Sequence, residues 1–253
     1  MNRTALPYLV GHRGARGEAP ENTLPSFQIA MDAGLRAIEL DVRLTRDGTL
    51  VVLHDASLQR TTGAAGLVRN LEYAALEQLD ARQGGPGWSV PVKIPTLDQV
   101  VAQCHPDTEF QFEVKGGESS AYLSRVAENL TDLIQRHSMA ARTIVTSSDS
   151  QFLRLMAQVS PRQSRGLVCE ARSFNPVGRT RALGCQWLIP HYSLVKAGLM
   201  RRARDAGLRV SVWTVNDLVE AERLAGLGVD SLITDFASGF AAHFAARMQR
   251  RGD

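Results

Sequence analysis

Cysteine is scarce in this chain: three residues among 253, Cys104, Cys169 and Cys185. They form no C-x-x-C pair, and their odd number argues against a disulfide framework and against a cysteine-held zinc site. An excess of charge of one sign is also missing, since 29 Lys and Arg stand against 26 Asp and Glu. Basic residues gather only in Arg201-Arg202-Ala203-Arg204 and from Arg247 to Arg251. Such runs read as solvated helix faces or chain ends. Without an aromatic-rich basic stripe, no nucleic-acid partner is expected. No stretch approaches the ~18–20 apolar residues of a membrane span, so no stable membrane insertion is expected. Met1 to Pro7 has no apolar leader core, and Tyr8 to Gly11 is too short to be one. These absences predict a cytoplasmic location. No low-complexity linker or composition break divides the chain, which predicts one domain over residues 1–253.

A local grammar is present instead. Met31-Asp32-Ala33-Gly34-Leu35 precedes Ala37-Ile38-Glu39, and Arg204-Asp205-Ala206-Gly207-Leu208 precedes Val210-Ser211-Val212-Trp213. Leu227-Gly228-Val229-Asp230 precedes Ser231-Leu232-Ile233-Thr234 in the same way. A glycine just past a helix relieves the left-handed C′ position, so each copy reads as helix, stop and buried strand. Eight strands are expected: Tyr8–His12, Ala37–Val42, Glu109–Lys115, Thr143–Ser147, Ser164–Val168, Trp187–Pro190, Arg209–Trp213 and Ser231–Thr234. Helical stretches fall between them, with start signals at Thr23, Thr96, Asn175-Pro176 and Asn216. This alternation over this length predicts a (β/α)8 TIM barrel. A ninth strand-like run, Leu50–His54, follows Asp47-Gly48, a hairpin signal placed after the second barrel strand. The Gly- and Pro-rich stretch from Ala56 to Pro95 reads as an extended βα insertion.

Polar residues are strung along the first half: Gly11-His12-Arg13, Pro20-Glu21-Asn22-Thr23, Glu39-Leu40-Asp41, His54-Asp55 and Glu113-Val114-Lys115. Residues i and i+2 of a strand share a face, so Glu39 and Asp41 point one way, and Glu113 and Lys115 do likewise. His12, Asp41 and Lys115 fall at strand ends, where barrel active sites lie. At roughly 4 Å and an effective dielectric of about 20, each pair of like charges costs about 4 kcal/mol. A divalent cation would remove that penalty, and oxygen donors select Mg²⁺, Ca²⁺ or Mn²⁺ over zinc. A lone Glu-x-Asp also serves as a salt bridge or cap; adding Glu113-x-Lys115 on a neighbouring strand favours the metal. Histidine titrates near neutrality, which makes His12 and His54 candidates for acid and base. His105, His137, His191 and His243 read as structural. The guanidinium fork of Arg13 suits phosphate oxygens.

Those motifs, with Thr45-Arg46-Asp47-Gly48, Arg60-Thr61-Thr62-Gly63, Ile94-Pro95-Thr96-Leu97, Val212-Trp213-Thr214-Val215-Asn216 and Ile233-Thr234-Asp235, resemble the glycerophosphodiester phosphodiesterases in their compact cytosolic bacterial form. The resemblance runs in order along nearly the whole chain. It implies a TIM barrel that hydrolyses small glycerophosphodiesters to sn-glycerol 3-phosphate and an alcohol. It implies that Glu39, Asp41 and Glu113 hold one divalent cation, Mg²⁺ or Ca²⁺ with Mn²⁺ as an alternative. His12 and His54 would be the general acid–base pair, and Arg13 and Lys115 would contact the phosphate. Glu21 and Asn22 would line or brace the site, and Trp213 would stand beside the glycerol end or serve as a core tryptophan. Gly116-Gly117 departs from the proline the family often carries after the lysine. Ser147, Glu170 and Asp235 receive no role. A phospholipase D acting on lysolipids or sphingolipids, and a non-catalytic phosphodiester binder, are the alternatives. The nucleophile, water or the neighbouring glycerol hydroxyl, stays open.

Overall fold

The computed structural model of the protein describes residues 6–252; Met1 to Ala5 of the N-terminal stretch, and the Arg250 and Arg251 side chains of the basic tail, lie outside the described residues. Among the described residues nine strands form: β1 (Tyr8–His12), β2 (Ala37–Leu44), β3 (Leu50–Val52), β4 (Glu109–Val114), β5 (Thr143–Ser147), β6 (Ser164–Cys169), β7 (Trp187–Pro190), β8 (Arg209–Val212) and β9 (Ser231–Thr234). Eight of them pair in parallel in the order β1-β2-β4-β5-β6-β7-β8-β9, and β9 returns to β1. The closing ladder sets Tyr8 against Ser231 and Gly11 against Thr234. The result is a closed (β/α)8 barrel, the fold the alternation predicts. The three glycine stops lie in the left-handed region, Gly34 at φ 85°, Gly207 at φ 68° and Gly228 at φ 74°, where a side chain would be strained.

β3 pairs antiparallel with β2 and stands outside the barrel. Its turn is built on Asp47-Gly48, with Thr45 N–H bonded to Thr49 O at 3.0 Å. This hairpin carries β2 on to Leu44, two residues past the expected end, because Leu44 pairs with Leu50. β3 itself stops at Val52 instead of His54. The Arg43 guanidinium takes the His54 carbonyl, at 2.7 Å and 3.1 Å, in place of a strand partner. β4 and β8 each end one residue early, so Lys115 and Trp213 sit just beyond their strands, and β6 runs one further, to Cys169. The stretch 56–95 is made of short turns, Gln59–Thr62, Val68–Asn70 and Tyr73–Leu76. They close over a small core of Val51, Leu53, Leu58, Val68, Leu76 and Ile94.

Outside the barrel, β2 and β4 direct Leu40, Val42, Phe110 and Phe112 into an apolar layer with Leu123, Val126 and Leu130 of helix Ser120–Arg136. Inside it, Val10, Ala37, Ile144, Val168, Trp187, Ile189 and Ile233 pack together. This division leaves the inward positions at the C-terminal strand ends for polar groups. Helix Leu97–Gln103 starts as expected, with Thr96 and Gln99 forming a reciprocal capping box. Asn175 caps Pro176–Ala182. The hydroxyl of Thr23 does not cap; it donates to Pro20 O at 2.6 Å. Asn216 does not start its helix either: Asp217 caps Leu218–Leu227 and leaves Asn216 free for another bond. Thr96→Ala should lower unfolding stability by about 1 kcal/mol, read as a lower denaturant midpoint at unchanged slope.

Candidate active site

Parallel register gathers the acidic residues. Across β1 and β2, His12 stands opposite Glu39; across β2 and β4, Asp41 stands opposite Glu113. Glu39, Asp41 and Glu113 each offer a carboxylate oxygen, all within 4.8 Å of one another. Asp41 is fully buried and Glu39 nearly so. Lys115 answers part of the charge, with Nζ 2.9 Å from Asp41 Oδ1 and 2.7 Å from Glu113 Oε1. Arg13 answers another part, with Nε 3.2 Å from Asp41 Oδ2. The loop after β1 is shaped to reach this cluster. Arg13 (φ 50°) and Asn22 (φ 58°) are both left-handed, a conformation that costs on the order of 1–3 kcal/mol for such residues. Their surroundings hold them there. Arg13 N–H donates to Glu39 Oε2 at 3.0 Å, Ser26 Oγ donates to Arg13 O at 2.7 Å, and Asn22 Nδ2 donates to Asp41 Oδ2 at 2.9 Å.

The electrostatics follow from burial. Burial raises the Glu39 carboxyl well above the ordinary carboxylate range, and Asp41 and Glu113 add to the rise. Glu113 is raised by burial too, against the pull of Lys115. For Asp41 the burial cost is outweighed by Lys115 and Arg13, which hold it far below the usual range. Glu39 Oε1 is buried with no hydrogen-bond partner among the described residues. An unsatisfied carboxylate oxygen beside two further carboxylates is what a hard cation would complete. The donor set therefore fits Mg²⁺, Ca²⁺ or Mn²⁺, and contains no nitrogen or sulfur donor that would favour zinc.

Both histidines are tied to a carboxylate through Nδ1. His12 Nδ1 lies 2.5 Å from Asp235 Oδ1, and Asn216 Nδ2 donates to Asp235 Oδ2 at 2.7 Å. His54 Nδ1 lies 2.6 Å from Asp55 Oδ1, and Arg60 Nε donates to Asp55 Oδ2 at 2.7 Å. A carboxylate at Nδ1 assigns the proton to that nitrogen and leaves Nε2 as acceptor. Burial lowers both histidine pKa values, partly offset by Asp235 at His12 and by Asp41 at His54. Despite its own burial, Asp55 is held down at about 2 by Arg60 and then His54.

His12, His54, Arg13, Glu39, Glu113, Lys115 and Trp213 line one cavity of about 650 Å³. Trp213 is fixed by donation from Nε1 to Ile189 O at 3.0 Å. Glu21 and Asn22 do not line the cavity. They stand behind it, Glu21 Oε1 accepting from Arg13 Nη1 at 2.8 Å and Asn22 bonding Asp41. Of the other histidines, His137 and His243 each pair with a surface carboxylate, and His191 packs its ring against Tyr192 and Trp213. Gly116 has its own reason to be glycine: a Cβ there would come within 2.8 Å of the Asp149 carboxylate. Sequence reasoning missed Asp235, Asp55, Asn216, Arg43 and Arg60 as site residues. Asp55 was readable as the neighbour of His54. Asp235 becomes readable only once β9 is known to lie beside β1, since Thr234 is in register with Gly11.

Fold and rim place the chain among TIM-barrel enzymes with a charged site at the C-terminal strand ends. The sequence profile of the glycerophosphoryl diester phosphodiesterase family matches residues 12–238. The chain belongs to this family, a family of hydrolases. A glycerophosphodiester phosphodiesterase from Caldanaerobacter subterraneus subsp. tengcongensis is 30% identical over 227 residues, covering 90% of this chain and 93% of its own. A crystal structure from Silicibacter pomeroyi DSS-3 superposes with a TM-score of 0.88 at 26% identity, covering 96% of this chain and 94% of its own. An Oleispira antarctica phosphodiesterase, solved with the product sn-glycerol-3-phosphate, superposes with a TM-score of 0.82 at 27% identity, covering 94% and 97%.

Removing the cluster tests its chemistry without turnover. Millimolar Mg²⁺ or Ca²⁺ should raise the thermal midpoint of the wild type, as any ligand of the native state does. It should leave a Glu39→Gln, Glu113→Gln double variant unmoved.

Proposed function

We propose that the chain hydrolyses glycerophosphodiesters to sn-glycerol 3-phosphate and an alcohol, with one divalent cation at Glu39, Asp41 and Glu113 and two histidines in proton transfer. One observation carries the reading: two of the three clustered carboxylates, Glu39 and Glu113, line a single cavity with both histidines, and Asp41 completes the cluster from behind. Family membership supports it, as does the product held by the Oleispira antarctica relative. A cation bound there would polarise a phosphoryl oxygen as a Lewis acid.

The chain's own residues do the rest. Arg13 and Lys115, both at the cavity wall, supply positive charge where the phosphoryl group gains negative charge in the transition state. Nε2 of one histidine takes the proton of the attacking hydroxyl. The other, protonated at Nε2, gives its proton to the departing alkoxide. Asp235 and Asp55 keep each ring in the tautomer that this exchange requires and stabilise the imidazolium that forms. Trp213 gives the cavity an apolar wall suited to the carbon skeleton of the glycerol half. Residues 6–252 act in this reading as one domain, since the insertion packs on β3 and reaches the site through Arg60. A cytoplasmic location belongs to the same reading and draws support from three buried, unpaired cysteines. Among the described residues no helix is long and apolar enough to cross a membrane.

His12→Ala and His54→Ala should each lower kcat by about 10²–10⁴, measured by coupled detection of glycerol 3-phosphate. A loss below about tenfold at both positions would remove them from the acid–base role. Asp235→Asn should lower kcat while KM stays near wild type, because its oxygen orients a ring without touching substrate. Exhaustive chelation with EDTA should abolish turnover, and Mg²⁺ or Ca²⁺ should restore it; full activity after chelation refutes the metal. Comparing glycerophosphocholine with a lysophospholipid separates this activity from a phospholipase D, and binding without turnover would favour the non-catalytic alternative.

A further inference from the structure

We propose that Arg60, supplied by the insertion, is a positioning residue for this hydrolysis: one guanidinium clamps Asp55 and Glu21 together, and through them orients both the His54 ring and the Arg13 fork. The inference rests on the function proposed above. Four contacts carry it. Arg60 Nε and Nη2 donate to the two Asp55 oxygens at 2.7 Å and 3.3 Å. Arg60 Nη1 and Nη2 donate to the two Glu21 oxygens at 2.9 Å and 2.7 Å. One oxygen of each carboxylate also meets a cavity residue: Asp55 Oδ1 lies 2.6 Å from His54 Nδ1, and Glu21 Oε1 accepts from Arg13 Nη1 at 2.8 Å. Arg60 itself is not among the residues lining the cavity. Its effect on the reacting groups passes through its two partners.

The geometry demands arginine. Both edges of a planar fork are used at once, each on a different carboxylate, and a lysine ammonium, a point charge on a flexible stem, cannot hold two carboxylates in fixed orientation. The clamp sits where it can be exact. Arg60 belongs to the helical turn Gln59–Thr62, whose ends are tied by Thr62 N–H to Leu58 O and by Gln83 N–H to Thr61 O, both at 3.0 Å. Asp55 is partly exposed and has no other cationic partner than Arg60 and His54 among the described residues. Without Arg60 it would be free to turn, and the Nδ1 of His54 would lose a fixed acceptor. Glu21 would keep Arg13 and the more distant Arg16. The Arg60–Asp55 pair is 37% and 29% exposed, where an ion pair contributes little to folding, and the buried Glu21 keeps Arg13 as a partner when Arg60 is removed. A positioning role therefore predicts a catalytic loss out of proportion to any loss of stability.

The test compares Arg60→Ala and Arg60→Lys with wild type, using glycerophosphocholine and saturating Mg²⁺. Misplacing a proton-transfer group should lower kcat by about 10–100-fold in Arg60→Ala, with a smaller change in KM and a thermal midpoint close to wild type. Arg60→Lys should remain low. Added millimolar guanidinium should restore part of kcat to Arg60→Ala, whereas equal sodium chloride or urea should not. The proposal is overturned if Arg60→Ala turns over within about twofold of wild type, or if lysine restores the rate in full, which would make charge alone sufficient. It is also overturned if the loss follows the melting temperature and guanidinium does nothing. Histidine-selective ¹⁵N NMR reads the same claim without turnover. The His54 signal, assigned with His54→Gln, should report an Nδ1–H tautomer in wild type and a tautomer mixture in Arg60→Ala. An unchanged signal refutes the clamp. If wild type hydrolyses no diester, the proposed function fails by itself, and the NMR comparison still decides whether Arg60 sets the ring.

Discussion

Lys115 Nζ stands 2.9 Å from Asp41 Oδ1 and 2.7 Å from Glu113 Oε1, and the rest of the site is arranged around that contact. Three carboxylates on two adjacent strands cannot share a buried rim uncompensated. Lys115 and Arg13 supply two positive charges against three carboxylates; they hold the Asp41 carboxyl low, while burial and acidic neighbours push the Glu39 carboxyl up. The shortfall falls at an atom that also lacks a hydrogen-bond partner among the described residues, Glu39 Oε1. Charge and hydrogen bonding thus point to the same atom. A divalent cation would answer both needs.

That demand explains features that otherwise look like separate oddities. The left-handed backbone at Arg13 and Asn22 is a strain the fold tolerates because it aims one backbone N–H at Glu39 and one side-chain amide at Asp41. Glu21 then steadies the guanidinium that balances Asp41. The outer faces of β2 and β4 carry Leu40, Val42, Phe110 and Phe112 into a dense apolar layer, and this layer fixes the register that sets Asp41 beside Glu113. Alternation along a strand lets the same residues serve both ends: one face holds the barrel together, and the other is spent on charge.

Much of this was legible in the sequence, for definite reasons. Gly34, Gly207 and Gly228 mark helix stops because only glycine takes those backbone angles without cost, so strands and helices could be counted. The i, i+2 spacing put Glu39 and Asp41 on one face without knowledge of the barrel. What stayed hidden depends on closure or on short-range competition. Asp235 partners His12 because β9 pairs with β1, a contact between residues 223 positions apart. Asn216 and Asp217 are both good caps; Asp217 takes the helix, which releases Asn216 to hold Asp235. Residues 56–95 resist reading because their turns are three or four residues long and their core is assembled from side chains scattered between Val51 and Ile94.

The hairpin and insertion bring the second histidine to the site from outside the ring of barrel strands. A barrel strand delivers side chains to the rim from the ring of strand ends, and β1, β2 and β4 already use those places for His12 and the three carboxylates. The second histidine, His54, follows β3 instead. The Asp47-Gly48 turn brings β3 back along β2, and Arg43, on β2 itself, captures the His54 carbonyl where the ladder ends. The ring is then oriented by the next residue, Asp55, which is in turn bound by an arginine from the insertion. His12 is oriented differently, by an aspartate just past the end of a barrel strand and an asparagine behind it. Two supports of unrelated origin thus present two imidazoles in the same way, Nδ1 to carboxylate and Nε2 unclaimed. Rings held in that way would suit the proposed division of labour, in which one Nε2 accepts a proton and the other delivers one.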